Sequence, residues 1–236
     1  MEKYLLILLN ILALNKSLTP LSECIQGRIT GYDEYTEGGS CGFGIPKIYG
    51  AAPNEAFYNN GEKCGICYEL VAPQGVLYFM VDSRCPVKGN EASCSGDMLH
   101  FDLHRNGFNT VVEQGIGKLN VTFRMVACDH KGNIIVKTKP EVTQYFYEFV
   151  VMNNVLGLKK VYYSFDNINW TGLERQGNYN HWRINSTITS IPFYLKFESI
   201  SGETVSTQID EKKQVFPMIQ EYNFQFQKIC IFPWIL

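Results

Sequence analysis

His100-Phe101-Asp102-Leu103 lies inside a framework of six cysteines and upstream of two adjacent aromatics, Tyr145-Phe146. A carboxylate held in such a scaffold can hydrogen-bond a sugar, or protonate a glycosidic oxygen if its pKa is raised. Aromatic rings supply the complementary half, because the flat C–H faces of sugar rings stack on them. The combination points to a groove that handles sugar polymers and leaves binding against catalysis as the open question. Asp82 follows the strand-like run Val76–Val81 and so projects from a strand end, where its competing role is to cap the Ser83-Arg84 turn. Tyr145, Phe146 and Tyr179 are the expected stacking platform, with Lys139 adding a hydrogen bond at the same surface. Neighbouring strand residues point to opposite faces, so Tyr145 and Phe146 share a ligand only if one sits at an irregular strand start. His100 and His104 have zinc-ligand spacing on a helix alone. With Asp102 between them no metal is expected, and the absence of a P-loop, dinucleotide fingerprint or nucleophile elbow means no cofactor is expected either.

The elements that must position these residues are β-rich. Short β-branched and aromatic runs separated by Gly-rich turns read as strands, with one short helix from Asn106 to Gln114. Eight cysteines, at 24, 41, 64, 67, 85, 94, 128 and 230, behind an apolar leader imply disulfides. Spacing cannot choose the pairing. Cys41, Cys64, Cys67, Cys85, Cys94 and Cys128 crowd the first half and should staple it, while the roles of Cys24 and Cys230 stay open. The leader, residues 1–22, carries a lysine before an apolar stretch too short to span a bilayer, as a secretory signal does. A net charge of −2 with scattered Lys and Arg excludes a nucleic-acid face. No later segment could cross a membrane. The expected product is a secreted, extracellular monomer, glycosylated at the sequon residues Asn120, Asn169 and Asn185. The polar stretch 137–141 reads as the connector, which gives a barrel at 24–138, a sandwich at 139–228 and a tail at 229–236.

Five motifs then resemble the expansin family. Gly27-Arg28-Ile29-Thr30-Gly31-Tyr32 is similar to its Thr-x-Tyr opening, and Gly38-Gly39-Ser40-Cys41-Gly42-Phe43-Gly44 to its Gly-Gly-x-Cys-Gly signature. Asn60-Gly61-Glu62-Lys63-Cys64-Gly65-Ile66-Cys67, His100-Phe101-Asp102-Leu103 and Arg124-Met125-Val126-Ala127-Cys128 complete the series in order. The resemblance implies an all-β chain, a six-stranded double-psi β-barrel followed by an immunoglobulin-like β-sandwich that binds carbohydrate. It also implies that Asp102, Asp82, Thr30 and Tyr32 line an activity-essential groove, and that the partner is cellulose or a related β-glucan in a cell wall or extracellular matrix. Such proteins loosen contacts between polysaccharides without hydrolysing them. This chain departs from the plant pattern in carrying Asp33-Glu34 directly after Tyr32. An inverting glycosidase needs a base about 6.5–9.5 Å from its acid. A weak endoglucanase with Asp102 as acid and Asp33 or Glu34 as base is therefore the alternative, and a purely carbohydrate-binding matrix protein the second.

Overall fold

In the computed structural model, residues 22–33, 39–44, 48–176 and 179–210 are described, together with the backbone of 215–217. The signal, Glu34, Asn178, Cys230 and the C-terminal tail lie outside them.

The first unit is a closed six-stranded barrel of β1 (Ile25–Tyr32), β2 (Tyr49–Pro53), β3 (Cys67–Ala72), β4 (Gly75–Val81), β5 (His100–His104) and β6 (Lys118–Val126). Around the barrel they run β1-β5-β2-β4-β3-β6, and β6 closes on β1. Two neighbouring pairs, β1–β5 and β2–β4, are parallel, the rest antiparallel. Alternation drives the closure. Ile29 of β1, Phe101 and Leu103 of β5, Leu70 of β3 and Phe79 of β4 are all wholly buried and meet in one core. Phe101 is the hub, with its ring 4.9–5.1 Å from those of Tyr68, Phe79 and Phe123. The helix Arg105–Val111 lays Phe108 over Gly31, where a side chain's Cβ would come within 2.7 Å of the ring. Three disulfides, Cys41–Cys64, Cys67–Cys128 and Cys85–Cys94, pin loops to this barrel. Cys24 is exposed and free among the described residues.

The second unit packs two antiparallel sheets face to face. One holds β9 (Leu158–Ser164), β10 (Thr171–Leu173), β13 (Phe193–Ser199) and β14 (Thr204–Ile209). The other holds β7 (Ile135–Thr138), β8 (Tyr147–Met152), β11 (Arg175–Gln176), β12 (His181–Ile184) and β15 (Val215–Pro217), in the order β11-β12-β8-β7-β15. Between them lie Trp182, Tyr147, Phe149, Phe193 and Phe197, each at most 2% exposed. The chain is all-β, a barrel followed by a sandwich.

The expected boundary after residue 138 needs correction. Ile135–Thr138 pairs with β8 across Ile135↔Met152 and Thr138↔Phe149, so it belongs to the sandwich. Its Val136 enters that core. The polar look of Lys137-Thr138-Lys139 hid a strand, because an outward lysine beside a buried threonine mimics a connector. The crossing falls instead after β6, where Cys128 N donates to Val155 O at 2.9 Å and Ile66 of the barrel packs on Gly157.

Candidate functional site

Strands β1 and β5 run parallel in a register that sets three residue pairs side by side: Arg28 with His100, Thr30 with Asp102, and Tyr32 with His104. Because strand side chains alternate, Ile29, Phe101 and Leu103 take the core and these six share the other face. The site is the polar half of an amphipathic strand pair.

Asp102 is half-buried. The Thr30 hydroxyl donates to its Oδ1 at 2.7 Å. Burial holds its pKa above the ordinary carboxylate value, against the lowering effects of that hydrogen bond and of Arg105 and His104. It is the kind of carboxyl that can carry a proton towards an ether oxygen. Asp82 stands at the end of β4, as read, but does not project into solvent. Its side chain is 1% exposed, with His104 Nε2 3.1 Å from Oδ2. That is ion-pair distance, yet poorly directed, since among the described residues neither Asp82 oxygen has an aligned donor. Tyr32 stacks edge-on against His104, ring centroids 5.2 Å apart. Asp33 is highly exposed and lies 3.5 Å from Arg105 Nε.

The second candidate surface lies on the sandwich. Tyr145 and Phe146 are not in β8 at all. They sit in the turn before it, where Thr143 Oγ1 accepts both of their backbone N–H groups at 3.1 Å. Strand alternation therefore places no constraint on the pair, and Tyr147, the first strand residue, takes the core. Tyr145 is 73% and Tyr179 53% exposed. Phe146 is half-buried beneath the Arg183 guanidinium, 5.0 Å from the ring centre. Tyr179 leans on His181 at 6.3 Å.

Glu148, which the sequence reading passed over, organises this face. Its side chain is 2% exposed and receives Arg183 at 2.6 Å, Lys139 in direct contact and His181 at 3.5 Å. Burial raises its pKa, but the hydrogen bonds and charges of Lys139 and Arg183 outweigh this and hold it below the usual carboxylate range. Lys139 is thus tied into the sheet rather than free to reach out. The signal was present: a glutamate alternating with Tyr147 and Phe149 in an otherwise apolar run. On the barrel, Arg28 was likewise missed as the partner of His100, and His100 as that of Thr30, since parallel pairing across about 70 residues leaves no local trace.

Among the described residues, two side-chain clusters have a metal-like shape, Cys67–Cys128–His130 and Cys85–Cys94–His100. Both draw on cysteines already joined in disulfides, which offer no thiolate. The three sequon residues Asn120, Asn169 and Asn185 are exposed.

Residues 1–121 match the expansin N-terminal domain. The chain belongs to the expansin family. It is 33% identical over 213 residues to expansin-like protein 2 of Dictyostelium discoideum, an overlap of 87% of this chain and 51% of that protein. The expansin thus spans about half the length of that relative. The crystal structure of apo Clavibacter michiganensis expansin superposes with a TM-score of 0.71 at 19% identity, over 88% of this chain and all of that one. An Asp-to-Asn variant of the bacterial protein, in complex with cellohexaose, superposes with a TM-score of 0.70 at 18% identity. At that distance the likeness speaks for the fold.

Proposed function

We propose that this expansin is a secreted protein that binds cellulose or a related β-glucan and loosens contacts between polysaccharide chains without hydrolysing them. The exposed rings of Tyr145 and Tyr179, with Phe146 beside them, stack on the chain. Asp102, with Thr30 and Tyr32 around it, engages sugar hydroxyls and displaces one strand from its neighbour. The cellohexaose complex of the bacterial expansin supports the choice of ligand. One observation supports the non-hydrolytic reading, the placement of Asp82 and Asp33. Asp82 is sealed under His104 and Asp33 faces Arg105, so neither is poised to activate water.

The raised pKa of Asp102 favours one competing reading, a weak endoglucanase with Asp102 as acid and Asp33 or Glu34 as base. Filter-paper weakening and soluble reducing ends, measured side by side on disulfide-intact protein, separate the two. Weakening without sugar release, lost in both Asp102→Asn and Tyr145→Ala/Phe146→Ala/Tyr179→Ala, is the expected result. Sustained sugar release abolished by Asp102→Asn would replace loosening with hydrolysis. Cellulose binding with no weakening would reduce the protein to a matrix binder.

A further inference from the structure

Arg28 Nε donates to His100 Nδ1 at 3.2 Å, and its Nη2 to Ser93 O at 2.7 Å. A guanidinium has donors and no acceptor, so His100 Nδ1 must present a lone pair. The ring is fully buried, and that burial, with the charges of Arg28 and Lys118, pushes its pKa down to about 4. His100 is therefore neutral near pH 7, with its one ring proton on Nε2. That nitrogen is 3.1 Å from Thr30 Oγ1. Thr30 accepts there, so its single hydroxyl proton goes to Asp102 Oδ1. Among the described residues, the other oxygen, Oδ2, has only Cys85 Sγ at 3.8 Å. That sulfur is bonded to Cys94 and has no hydrogen to give.

We propose, on the loosening reading of Asp102, that Arg28 and His100 are positioning residues which act through the Thr30 hydroxyl. They hold Asp102 Oδ1 as an acceptor and leave Oδ2 as the oxygen that takes a proton or a sugar hydroxyl. The direction of the chain is the content of the proposal. Without Arg28, the imidazole is free to carry its proton on Nδ1 and accept from Thr30. When Asp102 is protonated, Thr30 can then accept from Oδ1–H, and both hydrogen bonds of Thr30 reverse. One guanidinium thus decides which Asp102 oxygen carries the proton when the carboxyl is protonated. Arg105 and His104 face Asp102 from β5 and the helix after it, Arg105 also faces Asp33, and Lys118 faces His100 from β6. Those charges do not depend on the direction of the chain, so they persist when Arg28 is changed.

The test is spectroscopic and independent of cellulose. A long-range proton–nitrogen correlation on the full chain at neutral pH should show His100 as the Nε2–H tautomer. A proton on Nδ1, or an imidazolium, overturns the proposal outright, whatever the variants do. In Arg28→Met, at a pH where Asp102 is protonated, the Nε2–H pattern should give way to a mixture of tautomers, whereas an unchanged pattern there removes Arg28 from the series. In Thr30→Val the carboxyl-carbon titration of Asp102 should move to higher pH, and an unmoved midpoint removes the last link. Failure of filter-paper weakening would sink the loosening reading while leaving these signatures in place, and the reverse holds equally.

Discussion

The barrel hides its chemistry and the sandwich displays it. In the barrel, Asp82 and His100 are at most 1% exposed, and the half-open Asp102 is held by a hydrogen bond from Thr30. In the sandwich, Tyr145 and Tyr179 stand in solvent, while Glu148 is buried among Lys139, His181 and Arg183. The stapling follows the same division. Three disulfides lie in the barrel or at its exit, and none lies within the described sandwich. A site built from buried polar groups tolerates little movement, because an unpaired buried donor or acceptor costs about 1–3 kcal/mol. A stacking surface asks only that flat rings stay exposed, so a core of large aromatics is support enough.

The contrast is sharpest in covalent cross-linking. Loss of Cys67–Cys128, whose partners are 61 residues apart, in a double Cys→Ala variant should cost about 4 kcal/mol. Native-state hydrogen exchange should show that loss in barrel amides and leave Phe193–Ser199 protected. An equal loss in both units would mean they unfold as one. Phe197→Ala empties a wholly buried site and should cost a similar amount, about 3–5 kcal/mol, this time in the sandwich alone.

Acid should then separate the units more gently. The folded pKa of His100, about 4, lies below its ordinary 6.5, so the unfolded chain takes the proton first. Stability from this group is complete above pH 6.5 and drains away down to about pH 4, at a cost of about 3 kcal/mol to the barrel. Urea midpoints of barrel signals should fall across that window and flatten in His100→Gln. The depressed Glu148 acts in the same direction at lower pH, since its contribution is lost only below about pH 4.3. His181, also held low by burial, adds a loss of the same sign in the sandwich. The smallest structural effect belongs to Tyr145→Ala. Stability should change by less than about 0.5 kcal/mol, while cellulose affinity in a pull-down falls roughly five-fold. A large fall in stability would show that the ring is packed rather than displayed.

Much of the fold was legible because it is written in short-range alternation and turn residues. The run Leu119–Met125 and the strand Thr204–Ile209 stand where the pattern put them, within a residue or two. Lys137-Thr138 misled for the same reason: a strand with one buried threonine and outward lysines has the composition of a linker. Composition does not record which neighbour will pair with it.

Of the candidate site, the residue types were readable and their states were not. The sequence alone determined that a carboxylate at 102, hydroxyls at Thr30 and Tyr32, a cysteine-rich first unit and aromatics at 145, 146 and 179 would be present. Local chemistry and motif spacing suffice for that. The tertiary structure decided that Thr30 lies beside Asp102, that Asp82 is sealed by His104, and that Glu148 gathers Lys139, Arg183 and His181 into one buried cluster. It also decided that Arg28, His100, Thr30 and Asp102 form one hydrogen-bonded series. Each of these depends on strand register between segments far apart in the chain. A shift of one residue would turn every one of these side chains to the opposite face.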